Sequence, residues 1–254
     1  MKNLFMIAGI LLALLPVEMK AWTVPQETLE YEVHYKWGLI NANAGVATIK
    51  TEPVPGTNLF RATLTGKSVN LLGHYYEAGD VLTGTMLADS FRPVYNERIT
   101  QESGEFTIET VCYDHSGGTA SGESFKTLPD GTTVKSRVSH YGGGLTLDLL
   151  AVFYYMRQVD YQAMQPGQTV TVNVFAGSSP EVLTIVYNGQ ETMEYQGQQR
   201  QVYRVSMSFT ARNGGAGTSD SMSAVISAND SRIPLIVDGK LKFGHLHCSF
   251  IGNE

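Results

Sequence analysis

His245-Leu246-His247 is the closest histidine pair in the chain. On a strand, residues i and i+2 project to the same side, so both imidazoles could reach one metal ion. A zinc site needs a third and a fourth ligand. The only hints of them are His34, Glu30 and Glu32 on another polar face, and Cys248 projects the opposite way. No metal site is therefore expected. Glu30 and Glu32 share a face, as the two carboxylates of a glycosidase share a cleft. They alternate with Leu29, Tyr31 and Val33, which makes theirs the solvent side of an amphipathic strand. Gly66-Lys67-Ser68 has the end of a phosphate loop, but Arg61 stands where the earlier glycine belongs and no helix pattern follows. Nucleophile-elbow, zinc-protease and dinucleotide fingerprints do not occur. Neither a catalytic set nor a cofactor is expected. The aromatic and sulfur-bearing positions are more suggestive. Tyr31, Tyr35 and Trp37 share one strand face, Met207 and Phe209 another, and Phe153 and Tyr154 sit together further along. Such side chains can line a ligand cavity, or simply fill a core.

The elements that must position these residues are mostly strands. Leu29, Tyr31, Val33, Tyr35 and Trp37 alternate with Glu30, Glu32, His34 and Lys36; Tyr203, Val205, Met207 and Phe209 alternate with Arg204, Ser206, Ser208 and Thr210. Further strands are expected near 44–51, 58–68, 74–87, 92–101, 105–113, 132–139, 168–176, 181–188, 191–196, 222–228, 233–237 and 240–251. Pro53-Val54-Pro55-Gly56, Ser116-Gly117-Gly118, Pro129-Asp130-Gly131, Asn188-Gly189 and Asp238-Gly239 are turn chemistry. Gaps this short join antiparallel neighbours. Residues 145–158 break the alternation and suit a helix of three to four turns, with Thr146 and Asp148 at its start and Arg157 near its end. That helix is apolar nearly all round, so it belongs on the concave side of the sheet, entered through Gly142-Gly143-Gly144. The expected fold is mainly β: a strongly curved antiparallel sheet, half-barrel or barrel-like, with one apolar helix in its hollow. A two-sheet sandwich is the structural rival. Residues 213–219, rich in glycine, read as a loop.

Composition narrows the function classes. Charged residues are only 17 % of the 254, and the net charge is −6. A nucleic-acid binder would be basic, and a disordered chain would be more charged and less apolar. Met1-Lys2-Asn3, the apolar run Leu4 to Leu15 and the more polar stretch to Ala21 have the anatomy of a secretory signal. Residues 1–21 are therefore expected to be a signal peptide and 22–254 a single β-rich domain, exported to the periplasm or beyond, with no transmembrane span in the mature chain. Export permits disulfides. Cys112 and Cys248 are the only cysteines, and both share strand parity with apolar residues, so one bridge or two buried thiols are equally open.

Three segments together resemble a known group. They are Leu29-Glu30-Tyr31-Glu32-Val33-His34-Tyr35 followed by Ala44-Gly45-Val46-Ala47, the run Asp148 to Arg157, and Ser227-Ala228-Asn229-Asp230-Ser231-Arg232-Ile233-Pro234-Leu235. Their order and spacing resemble the DUF3108 family of exported bacterial proteins. The resemblance brings no catalytic residue with it. A helix in the hollow of a curved sheet is also similar, in architecture alone, to the half-barrels that carry lipoproteins across the bacterial envelope. Asn229, Asp230 and Pro234 read as a turn leading into an edge strand, against a binding role for Asp230 or Arg232. The leading expectation is a non-enzymatic envelope protein that holds an apolar or amphipathic, lipid-like ligand between sheet and helix. A structural or interaction module with a protein partner, and a hydrolase of envelope polymers, are the rivals.

Overall fold

A computed structural model describes residues 24–37, 40–69, 75–102, 105–115, 120–128, 130–140, 145–175, 180–211, 222–240 and 244–252. The expected signal peptide, the glycines at 142–144, the turn at 116–118 and the loop at 213–219 lie outside them.

Alternating residues with short turns between them fold as a meander. Eight strands follow one another: β1 (Glu27–Trp37), β2 (Ile40–Val54), β3 (Leu59–Val69), β4 (Tyr75–Leu87), β5 (Pro93–Glu102), β6 (Glu105–Asp114), β7 (Ala120–Thr127) and β8 (Thr133–His140). Next come the two-residue β9 (Thr146–Leu147), α1 (Leu149–Gln158) and a 3-10 turn at Tyr161–Ala163. A second meander runs through β10 (Thr169–Val174), β11 (Glu181–Tyr195), β12 (Gln198–Ala211), β13 (Met222–Ser227), β14 (Pro234–Lys240) and β15 (His245–Phe250). β15 pairs antiparallel with β1, so both meanders belong to one 15-stranded sheet with β8 and β9 at its edges. Among the described residues only the short β9–β10 pairing is parallel. The expected curved antiparallel sheet is the observed one. It curls far enough for Tyr113 on β6 to donate to the carbonyl of Phe175, just past β10, at 2.9 Å.

The helix lies in the hollow, with eight of its ten residues buried. Leu29, Tyr31, Ile49, Phe60, Ala62 and Met86 turn inward from the first meander, and Leu183, Ile185, Val205 and Leu235 from the second. Tyr154 is fully enclosed: its ring meets Phe60 and Phe153 edge-on at 5.1 and 5.3 Å, and its hydroxyl shares a hydrogen bond of 2.6 Å with Thr51. Burying each such side chain stabilises the fold by about 1.5–3 kcal/mol.

Four expectations change. The helix starts at Leu149, not 145. The Asp148 carboxylate accepts from the Ala151 amide at 2.6 Å and caps it there. Leu145 and Leu147 instead accept from the Asn173 and Phe175 amides, which draws 146–147 into the sheet. Asn188-Gly189 is not a turn: β11 runs straight through it with a bulge that re-registers its pairing with β12. Asp238-Gly239 likewise lies inside β14. Strand β7, whose Ala120 to Thr127 shows no clean alternation, is formed by pairing on both sides.

The cysteines also differ from expectation. On β6 it is Val111 and Tyr113 that are buried, while Cys112 is exposed. Cys248 is half-buried against the core. Both thiols are free. Six steps of the sheet order separate β6 from β15, and the two side chains leave opposite faces, so no bridge can span them.

Candidate functional site

A pocket of about 440 Å³ opens beside the start of α1, over the hollow of β2 to β6. Its apolar lining includes Leu64, Val81, Leu82, Ile99, Val111 and Leu149. Leu149 is an apolar helix residue left 51 % exposed at this spot. The polar lining consists mainly of Asp80, Asn96, Arg98, Glu109 and Asp148. The volume is that of an ordinary small-molecule site.

Pairing register explains why these groups meet. Leu64 lies opposite Leu82, Leu82 opposite Arg98, and Arg98 opposite Glu109. Directly paired residues share a face of the sheet, so this row crosses the hollow from two leucines to two charges. One row over, Ala62, Gly84, Asn96 and Val111 are paired in the same way. A Cβ at Gly84 would crowd Leu150 Cδ1 and Met86 Cε at 3.3 Å and touch Asp148 Oδ2, so this glycine lets the helix start sit close to the sheet.

Asp148 closes the inner end of the pocket. It is 1 % exposed, and its second oxygen accepts from Asn96 Nδ2 at 3.2 Å. Burial pushes its carboxyl up to about 6, although the bonds from Ala151 and Asn96 pull the other way. Arg98 is exposed and makes no ion pair among the described residues.

The aromatic candidates lie elsewhere. Tyr31 is buried with its ring edge-on to Phe153 at 6.4 Å and tilted against Phe250 at 5.7 Å. Tyr154 and Met207 are buried in the core, and Phe153 and Phe209 pack partly buried against it. Tyr35 is half-buried on β1, and the side chain of Trp37 lies outside the described residues. None of these lines the pocket. Its own residues gave little signal in the sequence, because the hollow face of β4 to β6 alternates weakly. Leu82, Arg98 and Glu109 meet only through pairing between strands.

The remaining chemistry-bearing groups are spread out. Glu30 is exposed on the outer face of β1. His34 lies 3.3 Å from Glu32, and His247 Nδ1 lies 2.6 Å from Asp238 on β14. His245 is exposed, and Asp148 is inside. Among the described residues no group of three or more His, Cys, Asp or Glu is placed to hold a metal ion.

The segment Ser227 to Pro234 proves to be a clasp. Asn229 Oδ1 accepts from Ser227 Oγ at 2.9 Å, Ser231 Oγ at 2.7 Å and the Arg232 amide at 3.2 Å. The turn so formed offers the Ser231 carbonyl to Arg157, at 2.8 Å from Nη2. Arg157 also holds Glu27 of β1 through both terminal guanidinium nitrogens, Nη1 and Nη2. Arg232, with φ at +46°, donates to the Val159 carbonyl just past the helix. Arg232 is thereby engaged inside the protein.

A family profile described as a protein of unknown function, DUF3108, matches residues 30–249. The chain belongs to the DUF3108 family. All three segments that carried the resemblance fall essentially within that match: the β1–β2 pair, the helix and the clasp. No curated protein matches the chain. Among solved structures, it is similar to a β-barrel-like protein of the DUF1849 domain of unknown function from Brucella abortus. That match has 8 % identity and a TM-score of 0.56, over 88 % of this chain and 94 % of that one. At such identity the likeness is one of fold. A candidate lipoprotein from Parabacteroides distasonis aligns over 91 % of this chain and 98 % of its own, at 8 % identity and a TM-score of 0.34, too low for any argument. No helix among the described residues is long and apolar enough to cross a membrane.

Proposed function

We propose that this DUF3108 member is an exported envelope protein that holds a small apolar or amphipathic ligand in the hollow of its sheet, without chemistry of its own. The observation that carries this reading is the pocket of about 440 Å³, walled by leucines, valine and isoleucine and left open beside an otherwise packed helix. A helix residue such as Leu149, half-exposed at a concave site, is what an incoming apolar group would cover. The amino-terminal signal anatomy supports the export part of the reading.

The test is native mass spectrometry and solvent extraction of the protein purified from the compartment where it accumulates. A co-purifying molecule is expected, and Leu82→Trp, which fills the pocket, should abolish it without lowering the melting temperature by more than a few degrees. An empty wild-type protein that also fails to take up an apolar dye would overturn the reading. The hydrolase alternative loses its residue support, since Glu30, Asp148, His245 and His247 do not converge. The interaction-module alternative has no comparable observation in its favour.

A further inference from the structure

We infer that the ligand is a single-chain amphiphile with an anionic head, its chain lying over Leu64 and Leu82 and its carboxylate or phosphate on Arg98. This rests on the pocket being a ligand site. The paired row supplies the geometry. Leu64, Leu82 and Arg98 occupy consecutive strands, β3, β4 and β5, on one face. With strands about 4.8 Å apart, the row places two apolar contacts and then one cation within about 10 Å. A flexible chain crossing the strands meets its apolar wall first and its charge last.

Arg98 is the one cation among the pocket-lining residues, and it stands at that end. Arg98 is exposed at the pocket and forms no ion pair among the described residues. A guanidinium presents a planar fork that suits a carboxylate or phosphate. Glu109 is next in the row. Asp80 and Glu109 already have interactions of their own. Asp148 is withdrawn into the helix cap, where its oxygens are taken by Ala151 and Asn96. An ammonium head would have to compete with Arg98 at the only exposed cationic position of the pocket lining.

The experiment compares four eight-carbon probes by calorimetric or NMR titration: octanoate, octyl phosphate, 1-octanol and octylamine. At least one of the two anions is expected to bind about tenfold more tightly than octanol, with octylamine weakest; the tighter anion names the head group. Arg98→Gln should reduce the anion's affinity to that of octanol and leave octanol unchanged. Octanol binding thus reports that the variant is folded. Octylamine or octanol binding as tightly as both anions, or an anion affinity indifferent to Arg98→Gln, overturns the inference while leaving the pocket a ligand site. No binding by any of the four overturns both.

Discussion

Two buried tyrosines separate the value of a hydroxyl from the value of its ring. Tyr154 and Tyr31 both pack aromatic faces into the core, and burial pushes the phenol of each upward. Tyr154 shares its hydroxyl with Thr51, whereas the Tyr31 hydroxyl is buried with no partner among the described residues. A net hydrogen bond contributes about 1 kcal/mol, and an unsatisfied buried group costs about 1–3 kcal/mol. Tyr154→Phe should therefore destabilise by about 1–2 kcal/mol, and Tyr31→Phe should leave stability unchanged or raise it by about 1 kcal/mol. Urea melts of the two variants check the opposite signs. Asp148 supplies a pH test. Its folded carboxyl titrates near 6, above the usual carboxylate value of 3.8, because burial disfavours the charge. The folded state then binds the proton more tightly than the unfolded chain. The stability this group contributes is full below about pH 4 and is lost as pH rises through about 6. Asp148→Asn keeps an N-cap oxygen and cannot ionise. The wild type should lose about 2–3 kcal/mol relative to that variant between pH 4 and pH 7.5. Parallel curves at the two pH values would show that the carboxyl is not desolvated.

The helix is held at both ends by polar contacts, and these matter more than its propensity. At its start stands the Asp148 cap; at its end Arg157 ties Glu27 of β1 to the Ser231 carbonyl between β13 and β14. The side chain of Arg157 is 1 % exposed. Removing one partner of a buried ion pair strands the other, at about 3–5 kcal/mol. Arg157→Met should cost that much, and Asn229→Ala, which undoes the turn presenting Ser231, about 1–3 kcal/mol. Thermal melts of both variants measure this, and a melting point like that of the wild type for Arg157→Met would refute the clasp. Strands with one wet and one dry face, β1 and β12 above all, were legible from alternation alone. The helix was legible because it lacked alternation. Its first residues, the bulge at Asn188 and strand β7 were not, since each is decided by pairing with a strand distant in sequence. The clasp was visible only as a turn, because the groups it holds, Arg157 and the Val159 carbonyl, come from the helix and the residue just past it. The pocket was hidden for the same reason: its apolar wall and its arginine share a row that exists only after β3, β4 and β5 align.

At the scale of the whole molecule, the sheet order determines what the two cysteines can do. The meanders meet at β1–β15, which places Cys248 near the middle of the sheet and Cys112 on β6, well out along the first meander. Cys112 is exposed, and Cys248 sits half-buried among Val33 and Val237, its register partners. Burial pushes the Cys248 thiol up to about 11, with Asp238 adding to the shift, so little thiolate is present near neutrality. A bridge closing a loop of this length would add roughly 4–5 kcal/mol, enough to move the melting point clearly. Because the curled sheet keeps the thiols on opposite faces, that contribution is absent even for protein folded under oxidising conditions. Melting curves with and without reductant should therefore superimpose. A maleimide should label one thiol per chain under native conditions, and peptide mapping should assign it to Cys112; the second should react only in denaturant. A reductant-sensitive melting point, with both thiols blocked before reduction, would mean that the sheet closes differently and brings β6 against β15.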